Sequence, residues 1–317
     1  MESLPNPRTR PPSRPADPLD AGDLIAGRRF AYAKAAAEDG DFTVAAEMFE
    51  QALERAPNWA PAWFALAEAR EKLGDLEAAA RAFRMSLTAD PDDAQGAGAR
   101  LALIDRAETP PALPPAYVAR LFDGYAPRFD EHLTKGLGYR APALIAEALA
   151  AAAPGRRFAS AFDLGCGTGL MGAELRRLAD RLTGLDLSPA MIAKARKRGL
   201  YEELIVGDAA AILEREPAAA CNLIVAADML VYVGDLAPLF AAVARALVGD
   251  GIFAFSAESR AGEGFRLEPT MRFAHSRSYI ETTARAGGLT PLLVQPASTR
   301  REAGADAPGL ICLFEKP

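Results

Sequence analysis

The hydrophobic pattern of this 317-residue chain changes twice along its length. Residues 1–22 carry six prolines and almost no large apolar side chains, so a disordered tail is expected there. From Asp23 apolar positions recur at helical spacing on an alanine-rich background, which predicts packed amphipathic helices. From Ala141 the character changes again. Helix-period stretches at 141–153, 171–178, 236–248 and from just after His275 to about Ala286 separate short apolar runs. The runs ending at Asp163, Asp186 and Asp208, and those at 223–227 and 251–257, read as buried strands. Such alternation predicts a parallel sheet covered by helices. The last runs, 292–294 and 310–314, fit an antiparallel hairpin at its edge, and the charged, glycine-rich stretch 259–273 shows no clear element.

The helical region repeats itself. Gly40-Asp41-Phe42 returns as Gly74-Asp75-Leu76, Phe49 as Phe83 and Pro57 as Pro91, each after 34 residues. Small residues at Ala33, Ala45, Ala52, Ala67 and Ala79 allow close helix approach, with Phe49, Trp63, Leu66 and Phe83 filling the space between. The period and these positions resemble the tetratricopeptide (TPR) helix–turn–helix repeat. Two repeats are counted, and a third helix, about Asp92 to Arg106, is expected to cap the stack. The helical repeat domain is therefore placed at 23–106. A proline-rich linker follows at 107–115, and an α/β domain at 116–317.

Past the linker, Leu121, Phe122, Tyr125, Phe129 and Leu133 fall on one helical face, broken by Pro127 into two short helices at an angle. The face is suited to lie over a site or to pack against the sheet.

The centre of the α/β part is Asp163-Leu164-Gly165-Cys166-Gly167-Thr168-Gly169, a strand end, an acid and three alternating glycines. Glycines without Cβ let a ligand approach the backbone, and in open α/β sheets this is where nucleotide-like cofactors sit. Residues 167–172 also satisfy G-x-G-x-x-G, so an NAD(P)-dependent oxidoreductase is a competing reading. The longer motif, however, resembles the first motif of class I S-adenosylmethionine (SAM)-dependent methyltransferases. With residues 121–133 it looks like the bacterial type that carries amino-terminal TPR repeats. The resemblance implies a Rossmann-like domain with a seven-stranded mixed sheet and SAM as cofactor. It also implies cofactor contacts at Asp163, Gly165, Cys166, Gly167 and Gly169, with Tyr125 and Phe129 as an aromatic lid. Asp186, 23 residues beyond Asp163, is expected to accept from both ribose hydroxyls, with Leu187 beside it. Asp208 and Ala209 are expected at adenine, although Asp208 also suits the cap of the next helix. Asp228, after the fourth strand, is expected near the methionine end or the acceptor, with Tyr232. Candidate bases are Glu258, His275 and Asp228, with His132 a further possibility.

Composition narrows the functional classes. A net charge of −6 argues against nucleic acid as partner. Three scattered cysteines form no disulfide framework, and two histidines offer no zinc spacing. No secretory leader or membrane span is read, so a cytoplasmic location is expected. The expected function is methyl transfer from SAM to a small metabolite, with the TPR helices docking a partner or self-associating. The alternatives are a protein methyltransferase with a TPR-delivered substrate, the NAD(P) enzyme, and a non-catalytic SAM-binding scaffold.

Overall fold

The computed structural model describes residues 21–105, 109–302 and 305–317. Almost all of the expected tail lies outside them. The chain divides into two compact units, Met1–Pro91 and Asp92–Pro317.

The first unit consists of α1 (Leu24–Glu38), α2 (Phe42–Leu53), α3 (Ala60–Lys72) and α4 (Leu76–Ala89). Its two repeats share identical punctuation. After α1 the amides of Gly40 and Asp41 donate to the carbonyls of Ala37 and Ala36, and after α3 those of Gly74 and Asp75 donate to Glu71 and Arg70. This is the helix stop that needs a left-handed residue, and Gly40 (φ 85°) and Gly74 (φ 80°) supply it. Each glycine is followed by an aspartate that caps the next helix: Asp41 accepts from the Val44 amide at 3.1 Å and Asp75 from Ala78 at 3.0 Å. Ala33, Ala45, Ala52, Ala67 and Ala79 are fully buried, as close helix packing requires. Phe49 and Phe83 occupy equivalent core positions. The buried tryptophan is Trp59, against Phe30 at 4.5 Å, rather than Trp63, whose indole donates to the Pro57 carbonyl nearer the surface.

The second unit opens with α5 (Ala97–Asp105), α6 (Pro115–Tyr125), the helical turn α7 (Phe129–Glu131) and α8 (Ala141–Ala152). Helix α5, expected from sequence to cap the repeats, falls in this unit, where Ala99 and Leu103 share a core with Leu113, Val118, Leu267 and Phe273. The proline stretch is likewise not a free spacer. Leu113 is buried and its amide donates to the Tyr232 carbonyl, while the Pro111 carbonyl accepts from Gly234 and Asp235.

The sheet contains β1 (Phe158–Leu164), β2 (Ala179–Asp186), β3 (Glu203–Val206), β4 (Cys221–Ala226) and β5 (Leu247–Ser259). It also contains β6 (Phe265–Glu268), β7 (Arg272–His275), β8 (Thr290–Ala297) and β11 (Gly309–Glu315), while β9 (Arg301–Glu302) pairs only with β10 (Ala305–Asp306). Helices α9 (Leu170–Leu175), α10 (Pro189–Arg198), α11 (Ala209–Arg215), α12 (Ala237–Ala246) and α13 (Arg277–Ala286) connect the strands. The main path runs β3-β2-β1-β4-β5-β11-β8, seven strands. β1 to β5 are mutually parallel, and β11 is antiparallel to both β5 and β8. Strand order reverses between β1 and β4, which opens a crevice at their carboxyl ends. The stretch 259–273 is not a plain loop, because β6 and β7 form a hairpin whose second strand adds to the end of β5. Sequence periodicity does not reveal four-residue strands of this kind. Among the described residues, no helix is long and apolar enough to cross a membrane.

Candidate active site

After β1 the chain turns through Gly165, Gly167 and Gly169, all at positive φ. A Cβ at Gly165 would lie 2.8 Å from the Met229 side chain, so this turn tolerates no larger residue without moving its neighbour. The turn is tied to the end of β2. The Cys166 amide donates to the Leu185 carbonyl at 2.9 Å, and the Gly167 amide to Asp186 Oδ2 at 2.8 Å. Asp186 Oδ1 accepts from the Ser188 amide, also at 2.8 Å. Each carboxylate oxygen thus holds one backbone amide and keeps a lone pair for a further donor. Burial pushes the Asp186 pKa up, against the pull of the two amides. At the end of β3, Asp208 caps α11 through the Ala211 amide at 2.9 Å.

A cavity of about 300 Å³ lies over these strand ends. Its floor includes Gly165, Gly167, Asp186 and Asp208, and its roof is formed by Phe122, Tyr125 and Phe129 from α6 and α7. The Phe129 ring stands edge-on to Tyr125 at 5.2 Å and to Phe122 at 6.0 Å. Two aspartates latch this roof down. Asp123 accepts from Ser188 Oγ (2.5 Å) and the Ala190 amide (3.1 Å), at the start of α10. Asp130 accepts from Thr168 Oγ1 (2.5 Å) in the glycine turn and from Arg198 (2.6 Å). His132, a possible base, is exposed and hydrogen-bonded to the Tyr125 hydroxyl.

Across β1, the cavity wall changes character. Asp228, Arg272, Arg300, Tyr139 and Tyr232 line it there. Arg272 donates to Asp228 Oδ2 at 3.1 Å, to the Tyr232 hydroxyl at 3.2 Å and to Glu258. Arg300, 4% exposed, pairs with Asp228 Oδ1 at 3.6 Å and with Glu258 at 2.5 Å. Asp228 holds φ at 58°, rare for a residue with a side chain, and its amide is fixed by Ser256 Oγ at 2.8 Å. Burial pushes the Tyr139 phenol well above its ordinary range, and Tyr232 up to about 12, so both are neutral hydroxyls near neutral pH.

A family profile described as "Methyltransferase domain" matches residues 162–255, and one described as "Tetratricopeptide repeat" matches 30–94. The ubiquinone biosynthesis O-methyltransferase of Nitrosococcus oceani is 30% identical over 167 residues, 45% of this chain and 71% of that protein. This chain belongs to the class I SAM-dependent methyltransferases, with amino-terminal TPR repeats. Human methyltransferase-like protein 27 is 42% identical over 85 residues, 26% of this chain. The malonyl-[acyl-carrier protein] O-methyltransferase of Enterobacter lignolyticus is 37% identical over 95 residues, 30% of this chain. The chain spans only 34% and 36% of the length of these last two relatives. Two solved structures share the fold. The [4+2]-cyclase SpnF has a TM-score of 0.54 and 20% identity, over 65% of this chain and 98% of its own. The 1,6-didemethyltoxoflavin-N1-methyltransferase of Burkholderia thailandensis has a TM-score of 0.51 and 19% identity, over 66% and 93%.

The cofactor of this methyltransferase family is SAM, and the residues present fit it. Gly167 at φ 54° leaves space that a side chain would fill beside Phe129. Asp186 offers two lone pairs of the kind a ribose diol needs. Family membership also decides against the NAD(P) reading.

The cavity gathers most of the expected positions: Gly165, Cys166, Gly167, Asp186, Leu187, Asp208, Ala209, Asp228, Tyr125 and Phe129 all line it. Four others do not reach the wall. Asp163 is fully buried, bonded to the Tyr201 hydroxyl at 2.6 Å, with Oδ1 unpartnered among the described residues. Burial pushes its pKa to about 7, Tyr201 pulling it down and Asp186 up. Gly169 instead sets the start of α9, where a left-handed residue is needed. Glu258 stands behind Arg272 and Arg300 and is held by both. His275 points to the Val233 and Gly234 carbonyls at 2.9 and 3.2 Å, and burial lowers its pKa to about 4. A histidine kept neutral by burial and aimed at backbone carbonyls is an anchor for the β4–α12 connection, not a base for the acceptor. Arg300 and Tyr139 carry no site signal in the sequence, and Arg272 is marked only by its place in the charged, glycine-rich stretch 259–273 at the carboxyl edge of the sheet, where substrate contacts are expected.

Proposed function

We propose that this protein transfers a methyl group from SAM to a small-molecule acceptor. The glycine turn, Asp186 and Asp208 hold the cofactor, which supplies an electrophilic methyl when bound. The chain's own residues orient the reactants and exclude water. The observation that carries the small-molecule reading is the latched aromatic roof: Tyr125 and Phe129 cover the glycine turn, and Asp123 and Asp130 fasten their segment to the cofactor half of the sheet. A peptide side chain would have to enter beneath it. Relatives named as O-methyltransferases support an oxygen acceptor. The TPR helices serve docking or self-association, separate from the chemistry.

The test is incubation of the purified full chain with methyl-labelled SAM and a cell extract, followed by separation by size. Label in the low-mass fraction is expected. Label confined to protein would replace this reading with that of a protein methyltransferase whose substrate the TPR helices deliver. Absence of transfer, with SAM still bound, would leave a non-catalytic SAM-binding scaffold.

A further inference from the structure

Resting on the methyl-transfer reading, the wall beyond β1 says more about the acceptor. Three charged side chains face the cavity there, Arg272, Arg300 and Asp228, while the fourth member of the cluster, Glu258, stands behind them. With Glu258 counted, the cluster is formally neutral, two guanidinium groups against two carboxylates, and it is the two guanidinium groups and Asp228 that reach the cavity wall. The other carboxylates on the cavity wall, Asp186 at the end of β2 and Asp208 just after β3, lie on the opposite side of β1. Tyr232, held by Arg272, adds a hydroxyl to the same end, and Tyr139 a second. Leu113, Val118 and Phe122 give the approach to this end an apolar wall.

Among the described residues, each candidate proton acceptor near this wall is already ion-paired or hydrogen-bonded. Both oxygens of Asp228 face guanidinium groups. Glu258 is held by two arginines, His275 is turned to backbone carbonyls and His132 to Tyr125. A neutral alcohol or ammonium acceptor would have to pass its proton to a group already engaged in an ion pair or hydrogen bond. An acceptor that arrives already ionised needs no such transfer, and planar guanidinium donors match a carboxylate.

We infer that the acceptor is a small carboxylic acid with an apolar body, bound as its carboxylate at the Arg272–Arg300 end and converted to a methyl ester. A carboxylate oxygen forms the new O–CH3 bond, the S–CH3 bond breaks with its electron pair left on sulfur, and no proton is moved. Asp228, through its fixed backbone and two ion pairs, positions the guanidinium groups rather than acting on the substrate.

The experiment uses the full chain, methyl-tritiated SAM and a whole cell extract, separated by size after the reaction, with mild alkali then applied to each fraction. Methyl esters release label as volatile methanol, and most of the transferred label is expected in the vapour phase. Alkali-stable label, as in an ether or N-methyl product, overturns the carboxylate assignment while leaving methyl transfer standing. Failure to label either the low-mass or the protein fraction overturns the methyl-transfer reading itself, and label on protein alone overturns the small acceptor.

A second measurement separates the acceptor's carboxylate from the cofactor's own. Arg272→Lys keeps the charge but loses the planar fork. It is expected to bind S-adenosylhomocysteine within threefold of the parent while transfer to the alkali-labile product falls at least 30-fold. If it instead loses tenfold in S-adenosylhomocysteine affinity and none for 5′-methylthioadenosine, which lacks the amino-acid carboxylate, the arginines read the cofactor and the inference is wrong.

Discussion

Asp186 and Gly167 are joined by a 2.8 Å hydrogen bond from backbone amide to carboxylate, so the acid at the end of β2 also shapes the glycine turn after β1. One side chain therefore shapes the cavity floor and lines it. Asp186→Ala removes the turn's tether and, on the proposed function, both ribose acceptors. At about 1.5–3 kcal/mol for each bond to a charged group, the loss in SAM affinity is expected to exceed about 100-fold. Asp186→Asn is not expected to rescue it, because an amide turns an N–H group toward one of the two amides now accepted. Calorimetry on the parent and both variants measures this, and affinity preserved in the asparagine variant would contradict the arrangement.

The roof is fastened from a different direction. Asp130 bridges Thr168 and Arg198, and its partly exposed ion pair is weakened by solvent, so the latch contributes on the order of 1 kcal/mol. Asp130→Ala is expected to speed dissociation of S-adenosylhomocysteine roughly fivefold with little change in the rate of binding. Stopped-flow fluorescence reads both rates. A slower association with unchanged dissociation would mean that the segment is not a lid.

The first of these contacts shows where the sequence is a sufficient guide. The floor was legible because its information is local: a strand end, glycines at fixed spacing and acids closing two further strands. The Arg272–Arg300 end of the cavity was not. Arg272 meets Asp228 across 44 residues and Tyr232 across 40, and Arg300 meets Glu258 across 42. Each arginine is buried only because of partners that no local window contains. Arg272 enters on a four-residue strand, and Arg300 in the segment between β8 and β9, where periodicity carries no signal. The placement of helix α5 is not local for a related reason. Its pattern predicts a helix, but not which core the helix joins.

In the repeats, equal local chemistry predicts equal cost. Asp41 and Asp75 each accept one amide in the first turn of the following helix. Replacing either by alanine is expected to destabilise the protein by about 1 kcal/mol. Chemical denaturation monitored by circular dichroism checks the pair, and a several-fold difference between them would show that the two repeats do not unfold as equivalents.

Two buried groups pull stability in opposite directions with pH. Asp163 titrates near 7 in the folded protein against 3.8 for an ordinary aspartate, so the folded state holds its proton more tightly. Its favourable contribution is complete below about 3.8 and is lost as pH rises to about 7. His275 titrates near 4 against 6.5, so its contribution is complete above about 6.5 and is lost as pH falls toward 4. Between these limits the two slopes oppose each other, each at most about 1.4 kcal/mol per pH unit. Asp163→Asn keeps an acceptor for Tyr201 and removes one slope. The variant is expected to gain stability relative to the parent from pH 4 to pH 7, by a few kcal/mol at most, and then to hold a constant difference. His275→Gln is expected to gain on the parent in the other direction, on acidification from pH 6.5 to pH 4. Thermal unfolding of all three proteins across that range tests both. Differences that do not vary with pH would mean that neither group titrates as its burial requires.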